Sequence, residues 1–121
     1  MSKTEVNLET IELAHTIVNA ISDRLGSNIV LLDMQGVSLL ADYFILCNAE
    51  SVPQFKAILD EIQKQVGTAN TRYLHVEGEP ESGWVVLDYG SVVVHIFDPK
   101  LRAYYNLEEL WKQARLVVRI Q

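Results

Sequence analysis

Asp33, Asp42 and Asp88 fall on stretches that read as neighbouring strands. Two or three carboxylates placed that way can hold divalent cations at a triphosphate, the arrangement of metal-dependent nucleotidyl transfer. The pattern stops short of that chemistry, because no close Asp-x-Asp pair is present. An isolated aspartate at a strand end is more often a turn or cap residue. No glycine-rich phosphate loop occurs. The single cysteine, Cys47, and the three histidines, His15, His75 and His95, lie far apart on different elements, which argues against a zinc site. His95 has Asp88 as a diagonal neighbour and invites a general-base reading. A histidine between Val94 and Ile96 on a strand is more commonly a half-buried, hydrogen-bonded residue. Cys47 sits in the apolar run Tyr43–Cys47 and reads as a buried thiol rather than a nucleophile. No catalytic residue, cofactor or metal is therefore assigned, and binding is the better class of function.

The stretch best suited to binding runs from Tyr73 to Phe97. Trp84–Tyr89 and Val92–Phe97 are rich in valine, isoleucine and aromatics and are joined by Gly90-Ser91, so they read as a hairpin with a two-residue turn. That turn pairs Tyr89 with Val92, Leu87 with Val94 and Val85 with Ile96 on one apolar face. The other face pairs Asp88 with Val93, Val86 with His95 and Trp84 with Phe97. The apolar face needs covering by helices. The mixed face suits two roles, a partner-binding surface or a second core with His95 and Asp88 satisfied inside.

The elements that must hold this hairpin follow from periodicity. Ile11, Ala14, Val18, Ile21 and Leu25, widened by Leu8 and Ile17, form the stripe of an amphipathic helix. Asn7 is its expected N-cap, and Gly26 its expected left-handed end. His15 falls off the stripe and reads as solvated. Asn28–Gln35 and Asp42–Asn48 read as central strands, antiparallel because Gly36–Ala41 is too short for a crossover. Ser51 and Gln54 open a second helix with the stripe Phe55, Ile58, Leu59, Ile62 and Val66, Gly67 closes it, and Asp60 and Lys64 are spaced to pair outside. The chain then crosses over to a strand at Arg72–Val76, parallel to the second strand. Glu77–Gly83 is an acidic loop. Asp98-Pro99 begins a short helical turn, and Asn106 is expected to cap a last helix through Leu107, Leu110, Trp111 and Ala114, with Glu109 in the capping-box position. The tail, Leu116–Gln121, either packs back as an edge strand or stays loose.

These elements predict one α/β domain over residues 1–121: a mixed sheet of about five strands with helices mainly on one side. At 121 residues and 49% hydrophobic composition the chain can bury a sizeable core without disulfides. The net charge of −6 argues against direct gripping of nucleic acid and suits a basic protein partner. One cysteine excludes an internal disulfide and suggests a reducing compartment. The first ten residues resemble neither a signal nor a transit peptide, and no segment has transmembrane length, so a cytoplasmic protein is expected, with a processed organellar one as the alternative.

The motifs LHVEGE (Leu74–Glu79), WVVLDYGSVVVHIF (Trp84–Phe97) and YYNLEELW (Tyr104–Trp111), with DMQGVSLLADYFILCNAES (Asp33–Ser51) upstream, resemble the ribosomal silencing factor, or Iojap, family. The resemblance covers roughly residues 8–111 and leaves 112–121 as a tail. It implies a nucleotidyltransferase-like fold without the catalytic carboxylates, and hence no enzymatic activity and no cofactor. It further implies a translational repressor that binds the large ribosomal subunit through protein uL-fourteen. Such a protein blocks joining of the small subunit when nutrients are scarce, with little direct nucleic-acid contact. Family members are often dimeric in isolation, which implies a homodimer. Carried onto this chain, the contact surface comprises Trp84, Asp88, Tyr89, His95 and Tyr105. The competing function is the metal-dependent nucleotidyltransferase weighed above. Asn48-Ala49-Glu50, where many members carry Thr-Gly, and Ser91, where many carry Asp, depart from the family pattern in turns.

Overall fold

Valine- and isoleucine-rich segments with no polar alternation have to be covered on both faces, and the computed structural model shows how. It describes residues 3–67, 74–107, 109 and 112–121, with side chains from Glu9 onward. The chain order is α1 (Lys3–Asp23), β1 (Ser27–Asp33), β2 (Tyr43–Asn48), α2 (Val52–Val66), β3 (His75–Glu77), a 3₁₀ turn (Pro80–Ser82), β4 (Trp84–Asp88), β5 (Val92–Phe97), α3 (Pro99–Tyr105) and β6 (Arg115–Ile120). The strands form one sheet in the order β3-β4-β5-β2-β1-β6. β1 and β2 are antiparallel neighbours, and β2 runs parallel to β5. The β4–β5 hairpin has the register its two-residue turn requires, with Trp84 opposite Phe97, Val86 opposite His95 and Leu87 opposite Val94.

Six strands form where about five were expected. The additional one is the C-terminal tail, which docks antiparallel on β1. β1 is buried through Ile29–Leu32, so its outer hydrogen-bonding edge also needs a partner. The crossover after α2 delivers β3 parallel in direction to β2, as expected, but at the far edge beside β4. The place beside β2 goes to β5, whose residues bury on both faces, while the short, exposed β3 suits an edge. The expected strand start at Arg72 lies outside the described residues.

α1 and α2 cover one face of the sheet. Ala14, Ile17, Val18 and Ile21 meet Phe55, Ile58 and Ile62 over Leu31, Ile45, Val85, Leu87, Val94 and Ile96. α1 begins at Lys3, four residues before Asn7, so Asn7 lies within the helix rather than capping it. At its other end Leu25, not Gly26, takes the left-handed conformation (φ 63°) and is exposed. Gly26 is needed for space, since a Cβ there would collide with the Ile21 side chain and press on Ile58. The side chains of Asn7 and Leu8 lie outside the described set.

Ser51 caps α2 as expected, its hydroxyl accepting from the Gln54 amide. Gln54 does more than close a capping box. Its Oε1 accepts from the Glu50 amide at 2.8 Å, and its Nε2 donates to the carbonyls of Leu25 at 2.9 Å and Arg24 at 3.3 Å. One side chain thus satisfies the start of α2 and the end of α1. Gln54→Ala is expected to lower stability by about 1–2 kcal/mol, the range for losing a helix cap, measured by urea denaturation; Gln54→Glu, which keeps the acceptor and loses the donor, should fall between. A second clasp joins the same helices, with Arg24 paired to the buried Glu61 at 2.9 Å. Hydrogen bonds from Gln65 and Arg24 hold the Glu61 carboxyl below the usual carboxylate range.

The opposite face carries a smaller core of Val30, Leu32, Met34, Leu46 and Phe97, covered by Leu101, Leu107 and Ala114. The helical turn expected after Asp98 extends to the seven-residue α3. Asn106 ends this helix in a left-handed conformation (φ 47°), and its carbonyl also accepts from the Glu109 amide at 3.1 Å, with residues 107 and 109 in 3₁₀ conformation. Asparagine serves at either terminus, and residues 112–114 form a turn and bend before β6. Leu110 and Trp111 lie outside the described residues.

Candidate partner-binding face

The side of the sheet away from α1 and α2 is only partly covered, and its open end is aromatic. Side chains alternate along β4, so Trp84, Val86 and Asp88 share this face. The Trp84 ring stacks on Phe97 with centroids 4.8 Å apart and lies 5.0 Å from Tyr105. α3 brings Tyr105 there. The Asp98 carboxylate caps the helix by accepting from the Lys100 amide at 2.8 Å, and Leu101 and Tyr105, four apart, fall on one side. Tyr104 stands edge-on to Tyr105.

Between these rings and the acidic turn lies an open groove of about 430 Å³, lined by Glu77, Gly78, Ser82, Trp84, Leu101 and Tyr105 among others. Gly78 permits it: at φ 83°, a Cβ would collide with the Trp84 carbonyl oxygen, so β3 and β4 could not approach this closely with any other residue. The groove thus offers two aromatic faces and a carboxylate at one rim. That combination attracts a cationic or amphipathic side chain, through the ring quadrupole and through charge.

His95 lies beneath the groove wall, 9% exposed, with Phe44 and Phe97 ring centroids 5.4 and 6.1 Å away. Trp84 Nε1–H donates to His95 Nδ1 at 3.2 Å. An accepting Nδ1 places the neutral ring's proton on Nε2. Nε2 is buried and has no hydrogen-bond partner among the described residues. Burial pushes the His95 pKa down to about 4, against a smaller opposing pull from Asp88. The ring is neutral at physiological pH and acts as a fixed acceptor that sets the Trp84 indole, not as a general base.

The structure brings together Trp84, His95 and Tyr105, with Asp88 farther along the same face. Asp88 accepts from the Gly90 amide at 2.7 Å and so pins the hairpin turn. Tyr89 stands apart from the other four. It lies on the helix-covered face, 6% exposed, with its hydroxyl unpartnered among the described residues and its pKa pushed up to about 12 by burial. Alternation from Trp84 requires this, because five residues along a strand reverse the face. Leu101 and Tyr104 were not anticipated; the four-residue spacing of Leu101 and Tyr105 after a Pro-initiated turn was the available signal.

The three aspartates do not share a site. Asp33 stands opposite Tyr43, whose side chain is in the helix-side core, and pairs with Arg115 at 3.0 Å. Asp88 lies on the other face. Among the described residues no group of three His, Cys, Asp or Glu side chains is placed to hold a metal ion. Cys47 is fully buried, and burial pushes its thiol up to about 12, which makes it a poor nucleophile. No helix among the described residues is long and apolar enough to cross a membrane.

Comparison with known proteins gives a consistent result. The family model described as "Ribosomal silencing factor during starvation" matches residues 7–121, so the match includes β6 and runs past the boundary near 111 expected from the motifs. A protein of Halalkalibacterium halodurans named ribosomal silencing factor RsfS is 42% identical over 106 residues, 88% of this chain and 91% of its own length. Its Bacillus subtilis namesake is 44% identical over 97 residues, 80% of this chain and 82% of its own. A Zea mays protein named Iojap, chloroplastic, is 32% identical over 88% of this chain and 46% of its own length. Among solved structures, one from Chromobacterium violaceum superposes with a TM-score of 0.76 at 32% identity, covering 83% of each chain. One from Bacillus halodurans superposes with a TM-score of 0.73 at 40% identity, covering 88% of this chain and 97% of that one. With a family model matched over residues 7–121 and relatives 42% and 44% identical over most of both chains, this chain belongs to the ribosomal silencing factor (RsfS, or Iojap) family.

Proposed function

We propose that this protein is a non-catalytic translational repressor of the cytoplasm that binds the large ribosomal subunit through protein uL-fourteen. By occupying the face where the small subunit docks, it prevents subunit joining, notably under nutrient limitation. The observation that carries this reading is the contact of half-buried Trp84 with exposed Tyr105 over an acid-rimmed groove, in a chain of this family. Aromatic side chains that are half wet and rigidly backed are the type that dominates protein interfaces. Glu77, Glu79 and Glu81 beside the groove suit a basic partner. Contact is made mainly to protein, in keeping with the net charge of −6. The unpaired outer edge of β6 supports a second copy of the chain as an additional partner.

The test is subunit reassociation followed by light scattering. A molar excess of this protein, preincubated with large subunits, should slow joining at least tenfold. Joining at an unchanged rate would reject the mechanism.

A further inference from the structure

The loop between β1 and β2 carries two adjacent leucines that the fold leaves in water. Leu39 is fully exposed, Leu40 is 88% exposed, and Val37, two residues earlier, is also exposed. A single exposed leucine is ordinary, but a neighbouring pair with a third apolar side chain is a patch. Met34 and Ala41 are buried at the two ends of the loop, and none of the three side chains at its tip joins either core. The loop is also held in one shape. The Met34 amide donates to the Asp42 carbonyl at 2.7 Å, and the Val37 and Ser38 amides donate to the Met34 carbonyl at 2.9 Å. Asp33 Oδ1 accepts from the Gln35 amide at 2.9 Å, and Ser38 Oγ from the Leu40 amide at 3.1 Å. The Asp42 amide donates to the Ser91 carbonyl at 2.8 Å, which ties the loop to the β4–β5 turn. A preorganised apolar knob loses little freedom on docking.

This knob stands at one end of the open sheet face, and the Trp84–Tyr105 groove at the other. Trp84 and Asp88 mark the two ends of β4, about 13 Å apart at roughly 3.3 Å per residue. Between them the same face carries half-buried Val86, Val93 and Phe44. An interface of ordinary size, about 800 Å² on each partner, is wide enough to take in both ends. Residues 33–55 and 73–99 hold no lysine or arginine, and Arg115 near the loop is paired with Asp33 at 3.0 Å. Asp42 closes the loop and Asp88 precedes the adjoining turn, so the strip from groove to tip is acidic. We propose that Leu39 and Leu40 form a second anchor, which plugs an apolar pocket rimmed by lysine or arginine on a protein of the large ribosomal subunit. This rests on the repressor reading above and extends its footprint from the groove to the loop. A convex apolar tip fits a concave pocket, and its acidic surroundings suit a basic rim and repel a phosphate backbone. A second copy seated tip to tip would set like charges together.

The test is co-sedimentation of the full chain with purified large subunits, comparing the wild type with Leu39→Ser/Leu40→Ser, Asp42→Asn and Tyr105→Ala. The double variant should bind at least fivefold more weakly and keep the wild-type melting temperature, because both side chains are exposed. Asp42→Asn should weaken binding at low salt; tighter binding would put a phosphate backbone beneath the tip and overturn the proposal. In sedimentation equilibrium without subunits, the wild type and the double variant should share one oligomeric state. A dimer lost in the double variant would give the tip to a second copy instead. Wild-type affinity in the double variant, with Tyr105→Ala weakened, overturns the second anchor and leaves the repressor reading standing. A wild-type chain that does not sediment with large subunits sinks both.

Discussion

Replacing Tyr105 by alanine is expected to weaken co-sedimentation with large ribosomal subunits by tenfold or more, about 1.4 kcal/mol or above, while leaving the melting temperature nearly unchanged. Tyr105 is 49% exposed and backs onto Trp84 without a hydrogen bond to the core. Its removal opens the groove without creating a buried cavity. Trp84→Ala should weaken binding at least as much, but with a stability cost. The indole stacks on the fully buried Phe97 and donates to His95. Truncating a fully buried tryptophan costs about 3–5 kcal/mol, and the partly exposed Trp84 should cost less than that. The comparison is informative because the two variants share a binding defect and differ in stability. Wild-type binding in both would remove the groove from the interface.

Acidification is the second large effect. The His95 pKa is about 4 in the folded protein, against about 6.5 for an unperturbed histidine. Between these values the unfolded chain binds a proton that the folded chain refuses. Stability therefore rises with pH across the window. The contribution is fully present above about pH 6.5 and is lost as pH falls toward 4, amounting to about 3 kcal/mol at most. For a domain holding about 5–15 kcal/mol in total, that is a large share. Urea denaturation at pH 7 and at pH 4.5 should show the loss in the wild type and a much smaller loss in His95→Gln. The subtraction matters because carboxylates, Glu61 among them, also titrate at the acid end. Equal acid losses in the two proteins would mean His95 is not the titrating group. Only near pH 4 and below does the folded protein take up that proton, which fills the Nδ1 lone pair, so there the Trp84 indole loses its acceptor and the groove wall loosens.

Local geometry made much of this fold legible. The hairpin register followed from Gly90-Ser91, because a two-residue turn leaves no freedom in pairing. The same alternation put Tyr89 on the helix side, even though family likeness had suggested the contact surface. The second helix was readable from its cap and stripe. What escaped depended on distant partners. Arg102 is buried by bonding to Asn28, on β1, and to Asn48, on β2, and no local pattern marks an arginine for that. Asn106 suits either end of a helix, and only the packing of α3 decides which. A six-residue apolar tail with arginine at its start and near its end looks alike whether loose or paired. The open edge of β1 decides its fate.

That last pairing has a bearing on biosynthesis. β6 leaves the ribosome long after β1 has emerged, so the nascent sheet carries an unpaired border until late in synthesis. Ile29 and Leu31 flank that border, and a neighbouring nascent chain offers the same strand. Chains halted before Arg115 would retain a sticky seam that the finished protein conceals, and prompt elongation through the final strand is itself a safeguard against clumping.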